Sequence, residues 1–162
     1  MKSWRAGEAE QKVLCILFPK DLKDRLESLK QEFIVQSRVS NIEIKDSHFD
    51  NAIEVLIIGD RNTIVSACSV IFSSFIPDPL SETRMDILVP EKSVGKIIGK
   101  KGKNIEMIRQ NTGTNIIFAK YSTALKVGKI DGTFEGILKA VQQIIDIIYE
   151  KPKRSGSVNF GK

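Results

Sequence analysis

Gly99-Lys100-Lys101-Gly102 combines two properties that holding an anion requires. The glycines, having no Cβ, let the backbone turn sharply and bring its amides close to a ligand. The lysines put positive charge at the point of closest approach. A helix opening at Lys103 would aim its unpaired N–H groups and the positive end of its dipole the same way. Lys92, Lys96 and Lys103 extend the charge on both sides of the turn, which suits a chain of phosphates better than a single one. Two other phosphate loops are excluded. No G-x-x-x-x-G-K-[ST] can be drawn here, and the glycine spacing, with no acidic partner at the right distance, rules out a dinucleotide fingerprint.

No other constellation suggests chemistry. His48 is the single histidine and falls in a polar turn, so no histidine-based triad or metal cluster can be assembled. The carboxylates lie on amphipathic segments or in turns, with no convergent apolar pocket to raise a pKa. An enzyme is not expected, nor is a metal or a cofactor. Cys15 and Cys68 lack metal spacing and sit in apolar segments. They read as buried free thiols, which fits a reducing, intracellular compartment, nuclear or cytoplasmic.

The 162 residues suffice for one ordinary domain or two small ones, and 41% apolar with 28% charged residues describes a packed core under a polar surface. No apolar run reaches the roughly 18 residues of a membrane span, and Met1-Lys2-Ser3-Trp4-Arg5 does not lead into a secretory segment. Net charge is +5, which favours an anionic partner. Its placement is more telling. Residues 12–76 hold eight basic against nine acidic residues, a net of −1; residues 84–150 hold eleven against seven, a net of +4. The half that carries the glycine loop is built to meet a polyanion.

The elements that must position this loop follow from periodicity. Val13–Phe18 reads as a buried strand stopped by Pro19. Asp21 is placed to cap a helix carrying Leu22, Leu26, Leu29 and Phe33. Ile42 and Ile44 mark a short strand, and Ala52–Ile58 another, broken at Gly59-Asp60. Ile64, Ala67, Cys68, Ile71, Phe72 and Phe75 form a helical stripe, and Pro77-Asp78-Pro79 is the clearest break in the chain. The order then returns. A strand at Met85–Val89 stops at Pro90, helical turns at 92–98 and 103–111 flank the loop, and Thr112-Gly113-Thr114 leads to the strand Asn115–Phe118. A strand Ala124–Ile130 ends at Asp131-Gly132, and a helix over 134–150 carries Ile137, Val141, Ile144, Ile145 and Ile148. Setting Pro19 on Pro90, Gly59 on Gly132 and Ile64 on Ile137 needs almost no change of length, so the halves read as an internal repeat.

The second copy resembles the KH (hnRNP-K homology) RNA-binding domain. The resemblance rests on an ordered series: Ile87-Leu88-Val89-Pro90, Val94-Gly95-Lys96-Ile97-Ile98-Gly99-Lys100-Lys101-Gly102, Ile105-Glu106-Met107-Ile108-Arg109, Thr112-Gly113-Thr114-Asn115-Ile116 and Ile130-Asp131-Gly132-Thr133. It implies an α+β chain of two type I KH folds, β-α-α-β-β-α, each a three-stranded antiparallel sheet under three helices. Residues 1–11 would be a tail, 12–76 a divergent KH-like domain, 77–83 a linker, 84–150 the KH domain and 151–162 a basic, polar tail. Lys151-Pro152-Lys153-Arg154 in that tail reads as solvated charge, with a nuclear-import fragment as the other reading. In the first copy the loop slot falls at Ser28-Leu29-Lys30-Gln31, without glycine, and one continuous helix from Asp21 to about Val35 replaces helix-loop-helix.

The family loop clamps about four nucleotides of a single strand. Carried over here, the resemblance assigns RNA or single-stranded DNA to Val94, Gly95, Lys96, Ile98, Gly99, Lys100, Lys101, Gly102, Lys103, Ile105 and Ile116, with Phe118 beside them. Gly95 would keep the groove floor low. Arg109 and Lys126 fall where relatives resembling the poly(C)-binding and Nova-like proteins contact base edges, with Asn115 a weaker addition. A cytosine- or pyrimidine-rich tetranucleotide and a role in mRNA processing, translation or stability are implied. The first copy would serve packing or protein contact. Ile117, Leu138 and Ile147 lie off the main apolar faces, which suggests that the halves pack together or that the protein dimerises. The alternative is an interaction scaffold resembling the Bicaudal-C type, with RNA secondary.

Overall fold

The alternation of apolar residues along residues 12–19 puts Leu14, Ile16 and Phe18 on one face of the first strand, β1 (Lys12–Pro19), all buried. This computed structural model describes residues 11–47, 51–75, 78 and 80–150. Residues 1–10 of the expected tail 1–11, the expected tail 151–162, His48, and Pro77 and Pro79 of the expected linker lie outside the described residues. After β1 a 3-10 turn (Lys20–Leu22) leads into α1 (Lys23–Ser37). Asp21 does not cap this helix. The chain enters it through the 3-10 turn, where the Lys23 amide donates to the Lys20 carbonyl and no side chain is needed. Helix α1 runs unbroken through Ser28-Leu29-Lys30-Gln31 with Leu26 and Phe33 buried, so the first half has no loop at that position.

Strands β2 (Asn41–Asp46) and β3 (Ala52–Gly59) follow. Asp60 then opens α2 (Arg61–Ser73) with a reciprocal cap, its carboxylate accepting from the Thr63 amide while the Thr63 hydroxyl accepts from the Asp60 amide. The second half comprises β4 (Glu82–Pro90), α3 (Glu91–Ile98), a 3-10 turn (Lys100–Gly102), α4 (Lys103–Thr112), β5 (Asn115–Lys120), β6 (Leu125–Thr133) and α5 (Phe134–Ile148). Asp131-Gly132 does not end β6. Both residues still pair, with Arg84 and Thr83 of β4, and the strand continues to Thr133.

The six strands form one antiparallel sheet in the order β2-β3-β1-β4-β6-β5. The two trios, β2-β3-β1 and β5-β6-β4, are joined where the edge of β1 pairs with the edge of β4, Ile16 opposite Ile87. Register carries the inward positions across this seam: Leu14, Ile16 and Phe18, then Met85, Ile87 and Val89, lie under the helices in a single core with Ile53, Val55, Ile57, Ile116 and Ile130. Each of these side chains contributes about 1.5–3 kcal/mol relative to exposure.

Four further contacts fix the seam. The Phe72 and Phe134 rings stack at 5.8 Å, and Arg61 pairs with Asp146 at 2.8 Å. The Tyr149 hydroxyl accepts from the Val13 amide (2.9 Å) and reaches its carbonyl (3.0 Å), serving backbone groups beyond the last β1–β4 pair. On the sheet face away from the helices, Leu88, Tyr121 and Val127 form a second small buried cluster. The Tyr121 hydroxyl crosses to the other half, donating to Glu54 at 2.7 Å and bonding the Ser47 hydroxyl. The off-stripe apolar residues divide accordingly: Leu138 and Ile147 pack against the core, while Ile117 is exposed. Cys68 is buried and Cys15 half-buried. Both are free thiols, pushed up to about 12 by burial, with Glu54 adding to the effect at Cys15.

Candidate nucleic-acid interface

The tetrapeptide 99–102 is a tight reversal between two helices whose axes it cannot continue. Helix α3 stops at Ile98 because Gly99 takes φ 79°, ψ 174°. Lys101 (φ 54°) and Gly102 (φ 76°) also have positive φ. A lysine in the left-handed region costs about 1–2 kcal/mol, and such strain concentrates where backbone is shaped for a ligand. The turn is braced from behind by Asn104, whose Nδ2 donates to the Lys96 carbonyl at 2.9 Å. Asn104 packs so closely that a Cβ at Gly99 would lie 2.6 Å from its side chain. Only glycine fits there.

Helix α4 starts at Gly102 with no side-chain cap. The Lys103 amide is spent on the Lys100 carbonyl and the Gly102 amide on the Gly99 carbonyl, so an anion at this end meets the positive end of the helix dipole rather than those two donors. Lys96, Lys100, Lys101 and Lys103 are all exposed around it. The arrangement offers the positive end of a helix and exposed ammonium groups on its rim.

Beside the turn lie the residues expected to line a groove. The neighbours Ile97 and Ile98 part company: Ile97 is fully buried, Ile98 half-exposed. Gly95, one helical turn before Gly99, is exposed, and a Cβ there would meet nothing within 4 Å. Val94 and Ile105 are almost covered at 8% and 7% exposure. They form the base of the surface; Ile116, at 1%, belongs to the core. Phe118 lies over Gly128, where a Cβ would come within 3.0 Å of its ring. Lys126 pairs with Val89 on one side and Lys120 on the other, so strand alternation puts both lysines on the helix-bearing face with Phe118.

Two expected contacts are differently placed. Asn115 shares strand parity with exposed Ile117, on the sheet face away from Ile98 and Ile105. Arg109 is partly committed to structure: Nη2 donates to the Ile116 carbonyl at 2.8 Å, tying α4 to β5, and Nη1 donates to Glu106 at 3.2 Å. Sequence reasoning also missed Asn104 as the brace of the turn and Lys120 as the partner of Lys126. Among the described residues no group of three histidine, cysteine, aspartate or glutamate side chains could hold a metal ion, and no helix is long and apolar enough to cross a membrane.

The open space over exposed Gly95 makes a direct prediction. Gly95→Leu is expected to fold with stability unchanged or raised by up to about 1 kcal/mol, since helix propensity improves and no atom obstructs the new side chain. It is expected to weaken single-stranded RNA binding by at least about 10-fold, the worth of roughly one stacked base. Chemical denaturation and fluorescence anisotropy read the two effects separately. Unchanged affinity would remove Gly95 from the binding surface.

Residues 84–146 match the family described as KH domain. The RNA-binding protein Pasilla of Drosophila melanogaster is 34% identical over 79 residues, covering 46% of this chain and 10% of Pasilla. The chain thus spans about a tenth of that relative's length. Among solved structures, the first type I KH domain of human Vigilin is 24% identical with a TM-score of 0.41, over 48% of this chain and 86% of that domain. Dim2p from Pyrococcus horikoshii is 21% identical with a TM-score of 0.35, over 93% of this chain and 96% of that protein.

Proposed function

We propose that this chain, which carries a KH domain at residues 84–146, binds single-stranded RNA through its second half. One observation carries the reading. A turn with three positive-φ residues and exposed Lys100 and Lys101 adjoins an open, glycine-floored apolar stripe. Phosphates of about four nucleotides run along the turn, meeting the positive end of α4 and the lysines. Bases lie towards Gly95 and Ile98. Phosphate contacts position the strand and base-edge contacts specify it.

Lys126 and Lys120 supply donors to base edges. Arg109 contributes through the N–H groups it does not spend on Ile116 and Glu106. Donors of this kind suit pyrimidine O2 and N3, so the preferred tetranucleotide is pyrimidine-rich, with cytosine favoured. The groove surface offers one aromatic, Phe118, so affinity rests on hydrogen bonds and apolar contact and lies in the micromolar range for this single site. The protein acts inside the cell, on RNA being processed, translated or turned over.

We read the first half as a degenerate copy of the same fold. Its strand order β2-β3-β1 mirrors β5-β6-β4, but the unbroken α1 gives it no glycine turn at the corresponding position. It serves as a structural or protein-contact partner. The scaffold reading, with RNA secondary, draws on Ile117, 52% exposed on the outermost strand of the sheet. A selection from random single-stranded octamer RNA, with single-stranded DNA and duplex RNA as controls, decides between them. The expected outcome is enrichment of a pyrimidine-rich tetranucleotide by the full chain. Absence of enrichment and of measurable binding would leave the scaffold.

A further inference from the structure

The outer face of α4, behind the glycine turn, bounds a concavity of about 660 Å³. It falls within the range of roughly 300–1,000 Å³ typical of ligand sites. Lys103, Met107 and Gln110 line it at i, i+4 and i+7, and Lys100 and Lys101 form its wall. Met107 is 49% exposed although α4 has a core on its other side to bury apolar groups, Ile105 and Ile108.

From this geometry we propose a second nucleotide subsite, which takes one or two nucleotides of the same strand immediately beyond the clamped tetranucleotide. The proposal rests on the clamp reading above. Three arguments support this occupant. The first is continuity: Lys100, Lys101 and Gly102 belong to the turn and to the concavity alike, so a strand leaving the clamp enters it without a gap. The second is chemistry. A methionine thioether is a polarizable surface for the face of a base, the Gln110 amide offers a donor and an acceptor to a base edge, and the lysines meet the phosphate.

The third is charge. The single carboxylate in the wall, Glu106, is already held by Arg109 at 3.2 Å. On the opposite flank of Met107 lies a smaller concavity of about 340 Å³ between α4 and α5. Asp146, itself paired with Arg61, and Glu150 line it and no lysine does. The lysines draw a polyanion to the first side, and the second has none to offer.

The test uses the full chain and three labelled RNAs: the selected tetranucleotide, and the same core extended by two nucleotides at its 5′ or its 3′ end. Anisotropy titrations compare the wild type with Met107→Ser/Gln110→Ala, a pair of exposed positions that the clamp does not use. The wild type is expected to bind one of the extended RNAs about 10-fold more tightly than the core, the effect of one additional stacked nucleotide. The double variant is expected to bind the core with wild-type affinity and lose that gain. No gain from either extension overturns the subsite. So does a gain kept by the variant, which would leave this face to a protein. Loss of core affinity in the variant would place these residues in the clamp itself and equally overturn a separate subsite. A wild type that fails to bind even the core would overturn the clamp reading, a result distinct from all of these.

Discussion

Lys100→Asp/Lys101→Asp is expected to lose at least about 100-fold in single-stranded RNA affinity at about 0.15 M salt, with an unchanged far-UV circular dichroism spectrum. The effect is large because two favourable charges become two repulsive ones at the point where the backbone approaches closest. It is clean because both side chains are exposed and make no hydrogen bond or ion pair among the described residues. Aspartate also tolerates the left-handed conformation that Lys101 adopts, so the turn keeps its shape. The dependence of log affinity on log salt should flatten by about 1.4, roughly 0.7 for each single-strand phosphate that is no longer neutralised. Equal binding by the two proteins would remove the turn from the interface.

The second large effect falls on stability. Ile87 is fully buried in the middle of β4, opposite Ile16 on one side and Gly128 on the other. Its Cγ1 lies 3.4 Å from where a Cβ on Gly128 would be. Ile87→Ala is expected to cost about 2–5 kcal/mol, from lost transfer energy and the void left behind. Because the core is shared across the seam, both halves should lose protection in one transition. Urea unfolding followed by hydrogen exchange of each half checks this. A loss under about 1 kcal/mol, or two separated transitions, would mean that Ile87 is not part of a common core.

Elements with strong local signals were legible in the sequence. The glycine turn, the strands ended by Pro19 and Pro90, and the stripes of α2 and α5 were readable because one stretch of chain decides each. The replacement of the first loop by a continuous α1 was legible for the same reason: no residue at 28–31 can adopt positive φ cheaply. What escaped depends on distant partners. Nothing in residues 14–18 or 85–89 marks one edge as the mate of the other, since both read as ordinary buried strands. Asp131-Gly132 reads as a breaker until Arg84 and Thr83 are known to pair with it. Asp21 reads as a cap because the 3-10 turn that makes a cap unnecessary leaves no separate sequence signal.

At the site the division is similar. The lysines and glycines of the turn identify themselves by type and spacing. The roles of Asn104 and Arg109 depend on which carbonyl lies within reach, Lys96 in one case and Ile116 in the other. Lys120 escaped because only the register of β5 on β6 brings it beside Lys126. A signal was present for Asn104: a short amide two residues after a glycine turn is well suited to bond back to the helix that the turn has just left.

The seam between β1 and β4 also has a mechanical consequence. Two modules on a tether sample many mutual orientations, and a ligand that needs both must bear the entropy of bringing them together. Here a strand ladder, stacked rings, an ion pair and two tyrosine hydroxyls hold the halves together. The chain therefore behaves as a rigid bracket. Anything docked on the first half stands at a fixed distance and bearing from the glycine turn, and that geometry is set before it arrives.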